Sequence, residues 1–171
     1  EANTQLMHFI AAPASATVLL SGSGGFGFLA RIEHLMSRQK AGKSFLSLNA
    51  GETPCKPSLA EGSNGSTPMA AATHVCCAST AGRILTFEMA ELKLMEKGGR
   101  GLTLMDLDAK DTLAGAAAYV RSVRFKGLGR GGKEREETLE IRSLNNARGG
   151  RARKGKAADL GFKPTEVIRV E

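Results

Sequence analysis

Residues 18–43 read VLLSGSGGFGFLARIEHLMSRQKAGK, and residues 75–100 read VCCASTAGRILTFEMAELKLMEKGGR. The two align without a gap at an offset of 57 positions: Val18 falls on Val75, Gly25 on Gly82, Leu35 on Leu92, Lys40 on Lys97, Gly42 on Gly99 and Lys43 on Arg100. A fixed period of this length marks a repeat architecture, in which each unit buries a face against its neighbour. Each copy opens with a short apolar strand and turns through Ser and Gly into a second apolar strand, Phe26–Ala30 or Ile84–Phe87. Two such runs around a glycine turn predict a hairpin. A helical turn or bent connection follows (ARIEHL, EMAELKL), then a basic glycine loop, then a third strand, SFLSL or LTLMDL.

A weaker third copy extends to the C-terminus. TLEIR (Thr138–Arg142) reads as its first strand, RARKGK (151–156) as its basic loop and EVIRV (166–170) as its closing strand. Its hairpin reads as shortened, because SLNNARGG stands where a turn and strand are expected. The units then span about 15–56, 73–120 and 137–171 of one domain, 1–171. Between them, 51–73 carries three prolines and little apolar periodicity and reads as a loop. KGLGRGGKEREE (126–137) reads as a charged, glycine-rich insertion loop. The fold expected is all-β, a propeller-like array of about three small antiparallel blades. A doubly wound α/β fold is disfavoured by 21 glycines and one helical turn per unit.

The charge is concentrated. The chain carries +7 overall, yet residues 121–156 alone hold twelve Lys/Arg against four Glu, an excess of eight. A block of this kind suits a polyanion. Cys55, Cys76 and Cys77 are odd in number and two are adjacent, which argues against a disulfide framework and points to a reducing, cytoplasmic setting. Too few ligands stand at finger-like spacing for zinc, and His8, His34 and His74 are isolated. No apolar run approaches the roughly 20 residues of a membrane span. The first residue is Glu and no secretory signal is present, so the chain reads as a piece of a longer protein.

Two phosphate motifs are approximated and fail. GSGGFG (22–27) fits G-x-G-x-x-G, but a dinucleotide site needs a helix from Gly27, and the second copy places Ser79, Ala81 and Ile84 at the glycine positions. AGKS (41–44) resembles the end of a P-loop but has Ser37 where the leading glycine belongs. No nucleophile–base pair stands out, and Tyr119, the sole tyrosine, lies in an apolar run and reads as packing.

The basic loops SRQKAGKS, MEKGGRGL and RARKGKAA each set cations around glycine at one place in the repeat. Glycine permits positive φ and close backbone approach, and amides flanked by Lys/Arg make an anion-binding concavity. One such site per blade tracks a phosphate backbone. The candidate contacts are Arg38, Lys40 and Lys43; Lys97 and Arg100; Arg151, Arg153, Lys154 and Lys156; and, in the expected insertion, Arg130 and Lys133. With no Trp and one Tyr, base stacking is disfavoured and charge-driven duplex binding favoured. A protein-interaction propeller with incidental charge, and an RNA-binding module, remain as alternatives.

These loops resemble degraded forms of the heptapeptide Q-[RK]-[RK]-G-G-[RK]-G of the gyrase A subunit. QKAGKS, EKGGRG and RKGK, together with GFGFLARIEHLMSRQKAGKSFLSL, AGRILTFEMAEL and ADLGFKPTEVIRVE, are similar to the C-terminal domain of the A subunit of bacterial DNA topoisomerase IV. The resemblance implies a β-pinwheel, whose blades exchange strands, that holds and bends duplex DNA for ATP-dependent strand passage in relaxation and decatenation. It implies a non-catalytic piece, since the family's cleavage tyrosine lies in an Arg-Tyr-Thr context and Tyr119 sits between Ala118 and Val120. No cofactor is implied here; the parent enzyme uses Mg²⁺, and ATP on its B subunit. The implied partners are duplex DNA, a condensin and, through the N-terminal part, the B subunit together with a second copy of the A subunit. No small-molecule substrate is implied. The implied location is cytoplasmic and nucleoid-associated, with peripheral inner-membrane association of the parent. GLGRGGKEREE is closest to the heptapeptide as a string, yet lies outside the loop register.

Overall fold

The computed structural model describes residues 4–64 and 66–171. Among these, the first unit supplies β1 (Thr17–Ser21), β2 (Phe26–Arg31), β3 (Ser58–Asn64) and β4 (Thr67–Met69). The second supplies β5 (His74–Ser79), β6 (Arg83–Glu88), β7 (Leu102–Thr103) and β8 (Leu113–Tyr119). The third supplies β9 (Ser122–Leu128), β10 (Glu134–Glu140), β11 (Lys156–Ala157) and β12 (Lys163–Arg169). The sheets are ordered β4-β3-β1-β2-β7, β8-β5-β6-β11 and β12-β9-β10.

The same plan recurs three times. A hairpin (β1–β2, β5–β6, β9–β10) receives its unit's return strand (β3, β8, β12) beside its first strand, antiparallel throughout. In the first two sheets the remaining edge is filled from the next unit. β7 follows the second basic loop but pairs with β2, Gly27 opposite Leu102. β11 follows the third basic loop but pairs with β6, Ile84 opposite Lys156. The fold is the expected all-β pinwheel of small blades that exchange strands.

Several boundaries differ from the sequence reading. The third unit does not begin near 137. Its hairpin starts recur at Thr17, His74 and Ser122, 57 and then 48 positions apart, so a gapless comparison passes over it. The expected insertion 126–137 forms the arms of this hairpin, with Leu128 opposite Glu134 and Phe125 opposite Glu137. Its turn closes through Gly131 and Gly132, both at φ +74, with the Gly129 N–H donating to the Lys133 carbonyl at 2.8 Å. TLEIR is split: Thr138–Glu140 end β10, and Ile141 begins a helical turn, Ile141–Leu144. β10, EREETLE, is exposed apart from Leu139, so it lacks the apolar alternation that marks a half-buried strand. The proline-bearing spacer 51–73 contains β3 and β4, with Pro68 on the short edge strand β4, where its missing N–H breaks no ladder. SFLSL makes only an isolated bridge at Leu46, and of LTLMDL only Leu102–Thr103 is strand, lent to the preceding blade.

The core is laid down between blades. Leu19, Val75, Cys77, Leu85, Phe87, Leu104 and Leu113 are packed between the first and second sheets. Cys76, Ala78, Ile84, Tyr119, Phe125 and Val167 are packed between the second and third. Successive residues of β5 thus face opposite neighbours, which is why burial runs unbroken from Val75 to Ser79 instead of alternating. The return strands converge in the middle. The Ala118 N–H of β8 donates to Ser58 Oγ of β3 at 3.0 Å, and a Cβ on Gly115 would stand 3.0 Å from the Val167 nitrogen of β12. Arg169 of β12 reaches the first sheet, donating from Nη1 to the Leu59 and Ala60 carbonyls at 3.2 and 3.1 Å and from Nη2 to the Ala70 carbonyl.

Candidate functional site

With the return strands in the middle, the lent strands β7 and β11 lie at the outer edges of their sheets, and the basic loops precede them. The loops follow one another in series through the backbone. The Gly99 N–H of the second loop donates to the Phe45 carbonyl just past the first loop, at 2.8 Å, and the Ser47 N–H returns a bond to the Gly99 carbonyl at 2.9 Å. The third loop repeats this on the second: the Ala152 N–H donates to the Leu104 carbonyl at 2.9 Å, and the Asp106 N–H to the Arg153 carbonyl at 3.1 Å.

The pairing of β7 and β11 fixes how these loops correspond. Leu102 sits opposite Gly27 and Lys156 opposite Ile84, and Gly27 and Ile84 are themselves 57 apart. Gly101 therefore matches Gly155, Arg100 matches Lys154, and Gly98 (φ +71) matches Ala152 (φ +64). Both matched glycines have positive φ and touch the preceding blade: a Cβ would come 2.3 Å from the Gly27 carbonyl oxygen at Gly101, and 2.4 Å from that of Ile84 at Gly155. The glycines seat the lent strands.

The candidate cations fall into two groups. Arg38, Lys40, Lys97, Arg153 and Lys156 are exposed and enter no ion pair among the described residues. Arg130 and Lys133 are exposed too, at the tip of the β9–β10 hairpin, which matches the hairpin turns of the other blades and not their basic loops. The other four are engaged. Lys43 donates to the His34 carbonyl at 2.8 Å and lies 5.2 Å over the Phe45 ring. Arg100 forks onto Glu52, Nη2 to Oε1 at 3.0 Å and Nη1 to Oε2 at 3.4 Å, and lies 4.1 Å over the Phe26 ring. Arg151 donates from Nη1 to the Thr103 carbonyl at 2.6 Å, while its backbone N–H donates to Glu91 Oε2 at 2.9 Å. Lys154 pairs with Asp108 at 2.6 Å.

Glu52 and Asp108 are the residues that sequence reasoning missed. The Asn49 N–H holds the Glu52 carboxyl below its ordinary range, against partial burial, and Arg100 adds to this. The Lys154 ammonium, by hydrogen bond and charge, holds Asp108 low, and Asp108 in turn lifts Lys154. The available signal was their separation of 56 residues, close to the repeat period. Arg83, at the repeat position of Phe26, supports the third loop by donating to the Lys154 and Gly155 carbonyls at 3.0 and 2.8 Å.

The remaining polar chemistry is internal. Tyr119 is 1% exposed, and burial pushes its phenol up to about 12, so it stays protonated at neutral pH. Burial likewise raises all three thiols, Cys55 to about 11, which makes them small apolar fillers. Among the described residues no three His, Cys, Asp or Glu side chains converge as metal ligands. GSGGFG ends in the strand β2, so no helix N-terminus stands behind it.

Comparison with known proteins gives the same architecture. Residues 73–118 match the family model described as DNA gyrase C-terminal domain, beta-propeller. The A subunit of DNA topoisomerase 4 from Neisseria gonorrhoeae is 31% identical over 136 residues, covering 79% of this chain and 17% of the relative. The Haemophilus influenzae protein of that name is 26% identical over 165 residues, covering 95% of this chain and 21% of the relative. The chain thus spans about a fifth of the length of these curated relatives. Among solved structures, the E. coli ParC C-terminal domain superposes with a TM-score of 0.78 at 21% identity, covering 98% of this chain and 65% of that one. A DNA gyrase A C-terminal domain superposes with a TM-score of 0.67 at 16% identity, covering 94% and 51%. The resemblance to the C-terminal domain of the topoisomerase IV A subunit is borne out.

Proposed function

We propose that this chain binds the backbone of duplex DNA along the outer edge formed by its three basic loops, and bends it across successive blades. It would act as the non-catalytic C-terminal part of the type IIA topoisomerase A subunit, presenting segments for ATP-dependent strand passage in relaxation and decatenation. The observation that carries this reading is the serial contact of the loops, each of which brings exposed cations: Arg38 and Lys40, then Lys97, then Arg153 and Lys156. Cations spaced by one blade each suit a long polyphosphate better than a single phosphate group. Such contacts hold a duplex in register without reading its bases. Arg130 and Lys133 extend the basic surface at the third hairpin tip.

The rest of the enzyme's apparatus belongs to this proposal: Mg²⁺ and the cleavage tyrosine in the N-terminal part of the same polypeptide, ATP on the B subunit, pairing with a second copy of the A subunit, contact with a condensin, and a cytoplasmic, nucleoid-associated setting. The test is fluorescence anisotropy with a random-sequence duplex, over a salt series and against RNA competitor. The expected result is a log K against log salt slope of about −4 to −5, from roughly five phosphate contacts, with duplex preferred to RNA. A slope near zero, or preference for RNA, overturns the reading.

A further inference from the structure

Four of the eleven candidate cations are engaged within the protein, and two of these engagements are alike in kind, a loop cation met by a carboxylate. Arg100 and Lys154 occupy matched positions, each one residue before the glycine that seats a lent strand. Each is met by a carboxylate from the preceding unit: Glu52, 48 residues earlier, and Asp108, 46 residues earlier. Their counterpart in the first loop, Lys43, meets no acid among the described residues; it meets a backbone carbonyl and the face of Phe45. A carboxylate and a phosphate diester compete for the same donors on a guanidinium or ammonium.

We propose that Glu52 and Asp108 are internal competitors for the ligand phosphate, occupying the cation just before the strand-seating glycine in the second and third basic loops and grading the edge from a first loop held by no carboxylate among the described residues to two restrained ones. The proposal rests on the duplex-binding reading above. The restraint differs in strength. Lys154 and Asp108 are 55% and 59% exposed, so their pair is open to solvent and weakly held. Arg100 and Glu52 are 31% and 18% exposed, joined by two hydrogen bonds, and the guanidinium lies over the Phe26 ring. Removing the acid therefore frees the cation more fully in the third loop than in the second, where Arg100 is also held over Phe26. The number of cations in the sequence consequently overstates the number of phosphate contacts.

The test is a cycle of Asp108→Asn, Lys154→Gln and the double variant in the full chain, titrated with the same duplex over the same salt series. Asp108→Asn is expected to tighten binding about twofold to fivefold at low salt, the range of an exposed ion pair, and to steepen the salt slope by about 0.9, one added phosphate contact. Lys154→Gln is expected to leave the slope as it is in the native background, and to remove the added 0.9 in the Asp108→Asn background. Two outcomes overturn the proposal: a slope already reduced by Lys154→Gln alone, or a gain from Asp108→Asn that persists without Lys154. The pair Glu52→Gln and Arg100→Gln repeats the cycle at the second loop, with a smaller gain expected. If the unmutated chain shows no salt-dependent duplex binding, the functional reading itself fails and this proposal with it. Binding by the unmutated chain with an unresponsive cycle removes this proposal alone.

Discussion

Arg100 of the second unit is forked onto Glu52 of the first, 3.0 Å from Nη2 to Oε1, with its Cζ 4.1 Å from the centroid of the Phe26 ring. A residue that reads in sequence as a free loop cation thus serves as a fastener between blades. Lys97, three positions earlier in the same loop, is exposed and enters no ion pair among the described residues.

The two are therefore expected to respond differently to neutralisation. Lys97→Gln should shallow the salt slope of duplex binding by about 0.9 and leave the melting temperature unchanged. Arg100→Gln should lower the melting temperature, because it leaves Glu52 without its partner and uncovers Phe26. Paired salt titrations and thermal melts check both, and a reversed pattern would show the loop to be inverted.

Gly101 and Gly155 test strand exchange. Alanine at either position meets a left-handed backbone, costing about 1–2 kcal/mol, and a carbonyl oxygen within 2.4 Å of its new Cβ. Gly42 has φ +80 but open space around it, so Gly42→Ala should show the backbone cost alone. Urea unfolding of the three variants should rank Gly101→Ala and Gly155→Ala as clearly more damaging than Gly42→Ala.

Asp111 gives a pH dependence. Its Oδ1 accepts from Thr80 Oγ1 at 2.9 Å, from the Ala81 N–H at 3.0 Å and from the Thr112 N–H at 2.8 Å, fixing the β5–β6 turn. Burial pushes this carboxyl up, but donors from Ser79, Thr80, Ala81 and Thr112 together outweigh it and hold the pKa below the ordinary value. A lowered folded-state pKa means the stabilisation is complete above the unfolded value of about 3.9 and is lost as pH falls through the folded value. Asp111→Ala should destabilise by about 1–3 kcal/mol at pH 7 and by less at pH 3, as chemical unfolding at the two pH values would reveal.

Arg169 joins the third sheet to the first. Arg169→Met keeps most of the stem but strands the Leu59, Ala60 and Ala70 carbonyls. Amide hydrogen exchange should quicken across β3 and β4, while β5 and β8, buried between two blades, keep their protection. Uniform loss of protection in all three sheets would contradict this local role.

The repeat, the hairpins of the first two units and the all-β class were legible in the sequence because they depend on local chemistry. Gly25 and Gly82, at φ +88 and +92, close turns between apolar runs wherever such runs occur. The unbroken burial of residues 75–78 was visible as composition, although its reason, a neighbour on each face, was not. The third hairpin was hidden because β10 is charged and exposed and is held by pairing with β9, which no propensity of its own reports. For the edge, the sequence determined how many cations each loop carries and that glycine stands among them. Which cations stay open was decided only by the tertiary structure. The carboxylates that occupy Arg100 and Lys154 arrive from 48 and 46 residues away, brought there by the lending of a strand to the preceding blade. An ion pair depends on a few ångströms of separation in space, and separation along the chain does not fix that distance until the blades are stacked.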